Sequence, residues 1–211
     1  MQEVIGTREA TKRETRRALL EAAIAEFAER GFDAPSLDAI CARAGFTRGA
    51  FYVHFSNRDE LVSAAMEHAI GTFVQRIMPE GEANDDLAVA VEAFADDVVP
   101  ELLLSPGALR VGSEGAGAIE GPPFHKFLEA CARSEAVRDG MRQALGRVIE
   151  QLQKAGEAGQ GQGYMRDDVG AHEMAGLLLL MALGVFSASE IGLQLDVAAL
   201  RDTALKLIRR G

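Results

Sequence analysis

The tightest constraint on this chain lies between Ser36 and Leu61, where helix-capping signals recur too closely for anything but short helices. Ser36 follows Pro35 and precedes the apolar positions Leu37, Ile40, Cys41 and Ala44, so its hydroxyl is placed to cap a helix of about Ser36 to Ala44. Gly45 stands where the backbone must enter a permissive, left-handed region. Phe46 can plug the turn into a core, and Thr47 can cap a second helix of about Thr47 to His54. A turn this short between two helices is a helix-turn-helix. Ser56 or Asn57 then opens a longer helix that runs toward Met78 and stops at Pro79.

On the second short helix, a step of roughly 100° per residue sends Ala50 and Phe51 one way and Arg48, Gly49, Tyr52 and Val53 mostly the other. The free side is small and hydrogen-bonding. Gly49 and Ala50 permit close approach, Arg48 can fork onto a guanine edge and Val53 can meet a thymine methyl. Thr47, Tyr52, His54 and Arg58 are the candidates for phosphate contact and register, Arg58 because it begins a helix whose free N–H groups also favour an anion, and Ser36 is counted among the DNA-binding residues.

The ordered set Gly31-Phe32, Ser36-Leu37, Ile40-Cys41, Ala44-Gly45-Phe46-Thr47, Gly49-Ala50-Phe51-Tyr52, His54-Phe55 and Arg58 to Leu61 resembles the TetR-type transcriptional regulators over the first quarter to third of the chain. That resemblance implies an all-α homodimer. It makes the helix from Thr47 the recognition helix and gives the C-terminal domain an effector that changes the spacing of the two DNA-reading heads. The family usually has lysine where this chain has Arg58, a change that keeps the charge and adds a planar fork. The expected division is a helix-turn-helix domain over 1–56 and a helical ligand-binding and dimerisation domain over 57–211.

A net charge of −10 argues at first against nucleic acid. Residues 1–60 hold nine Lys/Arg and ten Asp/Glu, however, so nearly all of the excess lies behind the head. Arg8, Lys12, Arg13, Arg16 and Arg17 gather on the first helix, about Arg8 to Arg30, where they either meet phosphates or form a solvated basic end. Leu20, Ala23, Ile24 and Phe27 of that helix are spaced to cover the helix pair. Two distant cysteines give no disulfide framework, the scattered histidines give no metal pattern, and no cofactor loop, carboxylate pair or ordered nucleophile marks an enzyme. The N-terminus has no apolar stretch after its charges and does not read as a signal peptide, so a cytoplasmic protein is expected.

Behind the head, Leu87 to Leu104 reads as a helix that Pro100 should kink. Ser105 to Pro123 reads as a flexible Gly-rich connection with a short helix around Leu109, and GEAGQGQG from Gly156 to Gly163 as a loop after a helix of about Glu135 to Lys154. Met174 to Ala188 is apolar on nearly every face, yet only 16 residues separate Glu173 from Glu190, short of the roughly 20 that cross a bilayer. Met174, Leu178, Met181, Val185 and Ala188 are therefore assigned to a two-fold contact, leaving Leu179, Leu183 and Phe186 for the protomer's core. Leu200, Ala204 and Leu207 of the last helix join that contact, and a central core helix of a monomer is the other reading. For a ligand cavity, the candidates are Phe94, Leu103, Phe124, His125 and Phe127, with Cys131, Met141, Leu145 and Phe186, residues that would serve a plain core equally well. The expected function is a repressor that binds a palindromic operator as a homodimer and is released by a small apolar or aromatic effector. A ligand-independent DNA-binding or protein-interaction module on the same fold is the alternative.

Overall fold

A computed structural model describes residues 2–78, 86–104, 108–111 and 119–210. The architecture is helical: α1 (Gln2–Arg30), α2 (Leu37–Ala44), α3 (Arg48–His54), α4 (Arg58–Ile77), α5 (Leu87–Ala93), α6 (Val99–Leu104), α7 (Phe124–Arg133), α8 (Glu135–Gln162), α9 (Ala171–Glu190) and α10 (Val197–Ile208). The helices gather into two compact units. One holds α1 to α3, α4 through Ala69, and Lys126–Met141; the other holds α4 from Ile70, α5, α6, α8 from Arg142, α9 and α10. The units therefore do not part at residue 56, since the first turns of α4 and the α7–α8 corner pack with the head.

In the head the expected caps form. Ser36 Oγ accepts from the Ala39 N–H at 3.1 Å and Thr47 Oγ1 from the Ala50 N–H at 3.3 Å. Gly45 takes φ 76°, its N–H bonds the Ala42 carbonyl, and the Phe46 N–H reaches back to Cys41, the paired closure that lets a helix end on a left-handed residue. Asn57 Oδ1 accepts from Glu60 N–H while Glu60 Oε2 accepts from Ser56 N–H, so α4 starts under a reciprocal cap. Leu19, Ile24, Phe27, Ile40, Phe51, Phe55, Leu61 and Met66 are buried between these helices. Phe46, by contrast, is only half-buried.

Lys126–Met141 completes this unit. Phe127 meets Phe32 edge-on at 5.1 Å between centroids, and Ser134 Oγ donates to Asp59 at 2.7 Å. A Cβ on Gly140 would lie 2.8 Å from Ser63 Cβ, so only glycine allows that approach.

The second unit has one core around Val74, Leu87, Val148, Leu152, Met165, Ala175 and Ile208, and a smaller one around Val98, Leu102 and Phe186. Between α5 and α6 the backbone makes a π-helical turn over Phe94–Val98, just before Pro100. Proline has no N–H for the fourth carbonyl back and its ring crowds that turn, and a widened turn absorbs both defects. The expected disturbance at Pro100 thus occurs without breaking the run.

Three expectations are corrected. Gly156–Gly163 is not a loop: α8 continues to Gln162, and only Gly163, at φ 81°, ends it. Glycine weakens an isolated helix, but a Cβ on Gly156 would lie 3.2 Å from Ala171 Cβ and one on Gly159 would run into the Met165 side chain. Close packing requires Gly156 and Gly159, two of the glycines that composition alone assigns to a loop. Leu109 lies not in a helix but in a strand, Ala108–Val111, paired with Ile119–Pro123; residues 105–107 and 112–118 of that connection, like Pro79 and residues 80–85 of the expected linker, lie outside the described residues. Finally, α9 spans 20 residues rather than 16 and is long and apolar enough by composition to cross a bilayer, so length alone does not exclude that.

The glycines of α8 give a paired test. Gly161→Ala, with nothing within 4 Å of the added Cβ, should stabilise the protein by about 0.5–1 kcal/mol. Gly159→Ala should destabilise it by about 1–3 kcal/mol through overpacking against fully buried Met165. Urea unfolding of both variants checks the opposite signs.

Candidate nucleic-acid interface

The interface is built outward from Phe51 and Phe55, which stack at 5.5 Å between centroids and anchor the inner side of α3. With that side fixed, Tyr52 and Val53 stand out at 53% and 64% exposure beside exposed Thr47, Arg48 and Gly49, while Ala50 and His54 are half-buried. A Cβ on Gly49 would meet nothing closer than Thr47 Oγ1 at 3.7 Å. The fold therefore has no need of glycine there, whereas a partner's edge brought against α3 would gain space from it.

Arg48 Nη1 lies 3.6 Å from Asp38 Oδ2, across the turn on α2. Its pKa is raised further, first by a hydrogen bond with Tyr52 and then by the Asp38 charge. His54 is pushed the other way, by burial and by Lys12 and Arg16, and its Nδ1 has no hydrogen-bond partner among the described residues. Arg16 also lies over the Phe55 ring at 4.9 Å. Lys12 and Arg16 thus form a positive corner at one end of α3, beside a His54 held toward its neutral form, a corner suited to a phosphate. Arg17 is neutralised along its own helix by Glu14 and Glu21, and nothing is described for the Arg8 side chain.

Arg58 corrects the expectation of a phosphate contact. Its guanidinium bonds the carbonyls of Pro35 and Phe32 and lies over the Phe27 ring, so it ties the start of α4 to the α1–α2 loop. A planar fork serves two separated carbonyls in a fixed geometry, whereas a lysine would bring a single point charge to them.

The proposed cavity lining is largely redistributed. A cavity of about 350 Å³ does exist inside the second unit, and of the nine candidates only Phe94 lines it. Phe124 and Phe186 pack with tilted rings, 5.8 Å between centroids, in an aromatic cluster with Phe73, Leu103 is exposed, Leu145 is half-buried, and His125 is exposed and bonded to Glu190. Phe127, Cys131 and Met141 belong to the head unit. In their place stand Leu178, Met181, Val185 and Ala188, which had been assigned to the two-fold contact, with Phe73, Ile77, Val91, Leu152, Leu200 and Ala204. Arg201, the only charged lining side chain among the described residues, is bound to Asp96 and Asp202.

The outward stripe of α9 is set one residue off the expected one. Leu177 and Leu180 are exposed, Leu180 at 67%, together with Gly184 and Ser187, while Met174 is buried. Glu173 and Ser187 share that stripe at helical spacing, a polar signal that marks the outward side of an otherwise apolar helix.

The family model for bacterial regulatory proteins of the tetR family matches residues 19–65, the span from α1 to the first turns of α4. Over its head the chain thus resembles the tetR family of bacterial regulatory proteins. The chain is 36% identical over 87 residues to the transcriptional activator FasR of Mycolicibacterium smegmatis, covering 39% of this chain and 40% of FasR. It is 39% identical over 87 residues to the transcriptional regulator TtgR of Pseudomonas putida, covering 41% of this chain and 36% of TtgR. The chain thus matches well under half the length of these curated relatives. The whole fold resembles SmeT, the repressor of the Stenotrophomonas maltophilia multidrug efflux pump SmeDEF. In its triclosan complex SmeT gives a TM-score of 0.63 at 23% identity, over 93% of this chain and 92% of that one.

Gly49→Ala tests whether the missing Cβ serves a partner. The variant should be as stable as the parent or more so, by up to about 1 kcal/mol. It should nonetheless bind duplex DNA at least several-fold more weakly, as read by fluorescence anisotropy beside thermal unfolding.

Proposed function

We propose that this TetR-family protein is a cytoplasmic, ligand-responsive transcriptional repressor. Two copies would set their α3 helices about one DNA turn apart, roughly 34 Å, on a palindromic operator. The observation that carries the reading is the exposed, cap-bounded surface of α3, on which Arg48, Gly49, Tyr52 and Val53 stand clear of a core that needs none of them. Arg48 and Val53 would read base edges; Thr47, Tyr52, His54 and the Lys12–Arg16 corner would hold phosphates. Ser36 remains a candidate only through its position beside them, because its hydroxyl already caps α2.

The effector would occupy the cavity of the second unit. Its lining of Phe, Leu, Val and Met, with its single arginine already paired, favours an apolar or aromatic molecule, as does the triclosan complex of SmeT. Phe73, Val74 and Ile77 of α4 are part of that wall, and α4 is one unbroken helix that begins in the head. A ligand that displaces it would shift the heads, a coupling that is typically about 1–3 kcal/mol. Repression rather than activation is favoured by SmeT, whereas FasR is named an activator.

The second copy would cover Leu177, Leu180 and Gly184 of α9 with Leu200 and Leu207 of α10, the large members of which are exposed in one protomer. Of the expected contact residues, Leu200 and Leu207 remain in this assignment.

The deciding experiment is anisotropy of the purified protein on the DNA flanking its coding region, against scrambled duplex, over a salt series and with apolar aromatic molecules, triclosan among them. Selective binding that weakens with salt and is released by such a molecule is expected. Equal binding to scrambled duplex would overturn the regulator reading, and selective binding that no such molecule and no cavity-filling variant alters would favour the ligand-independent module. Leu180→Glu should give monomers in sedimentation and lose cooperative operator binding; a dimer that survives it would reject this surface.

A further inference from the structure

We infer that Asp38 is a positioning residue for Arg48 and that the pair, rather than the arginine alone, sets the sequence preference of the head. The inference rests on α3 being the DNA-reading helix. Asp38 stands in the first turn of α2 with its side chain 71% exposed, and its Oδ2 lies 3.6 Å from Arg48 Nη1 at the start of α3. A carboxylate on a surface that must lie against phosphates repels them, and so calls for a reason. Its place near a helix N-terminus is one, but Ser36 already caps that end and the dipole does not dictate that an acid face Arg48.

In water the pair contributes little, because both groups are hydrated and mobile. Pressed against DNA it would be dehydrated and its attraction strengthened. Arg48 presents five donors in a rigid fork, so one edge can remain on Asp38 while the other meets the O6 and N7 of a guanine. Tyr52, one turn further along α3, interacts with the same guanidinium. An arginine restrained by Asp38 loses less rotamer freedom on reading its base and reaches fewer wrong ones. The acid thus weakens attraction to all DNA while sharpening the choice among sequences.

The test uses the full chain and a duplex selected by the wild-type protein from a random library. Asp38→Asn keeps the shape and removes the charge. Relative to wild type it should bind scrambled duplex several-fold more tightly while its selected-over-scrambled ratio falls on the order of tenfold, the size of one weakened base contact. In an Arg48→Ala background the same change should leave that ratio unaltered. Asp38→Glu, which keeps the acid at a longer reach, should recover part of the ratio, a rescue that a merely structural role would not give. Thermal unfolding of each variant separates these effects from loss of the head. If Asp38→Asn shifts selected and scrambled duplex by the same factor, with or without Arg48, Asp38 acts only as bulk charge and the inference fails. If selection with the wild-type protein yields no preferred sequence, the DNA-reading assignment of α3 fails with it.

Discussion

The turn at Gly45 governs what α3 can offer a partner. The left-handed residue reverses the chain within three positions, the Phe46 N–H closes back onto Cys41, and Thr47 at once caps the next helix. Phe51 and Phe55 then lock the rotation of α3, so that Phe51 enters the core while Arg48, Tyr52 and Val53 stand exposed. A helix this short has little stability of its own, and its orientation comes from these few contacts. Arg58 acts on the same frame from the side, satisfying loop carbonyls that no helix would otherwise serve.

Charge is distributed to the same end. The acidic excess lies behind the first sixty residues, and the head keeps a local positive corner at Lys12 and Arg16, beside His54, despite a balance near zero. Burial and the two neighbouring cations hold His54 toward its neutral form in the free protein. The folded head therefore favours the unprotonated ring, and that contribution to stability is present above the ordinary imidazole range and is lost as the pH falls through the depressed value.

In the second unit α9 has to satisfy several neighbours at once. One side enters the core through Met174 and Ala175, a second borders the cavity through Leu178, Met181 and Val185, and a third, with Leu177 and Leu180, faces outward. That is why the helix is apolar nearly all round. The cavity persists because helices with large side chains bracket it while the glycines of α8 draw that helix closely onto Met165 and Ala171 elsewhere.

The head was legible in the sequence because its determinants are local. A hydroxyl three residues before an N–H, a glycine at a helix end and a 3.6-residue stripe act within one or two turns, so the caps of α2, α3 and α4 and the sides of α3 follow from the order of residues. The placement of Phe127, Arg58, the glycines of α8 and the sides of α9 did not follow, because each depends on a partner far away in sequence: Phe32, the Phe32 and Pro35 carbonyls, Met165 and Ala171, and the cavity wall. Arginine on a helix end reads alike whether it meets phosphate or carbonyl, and an all-round apolar helix has no polar period strong enough to orient it. The sequence by itself determined the helical class, the reading head and its exposed residues; only the tertiary structure decided which apolar side chains enclose a cavity and which face out, since burial is a property of contacts that local order does not encode.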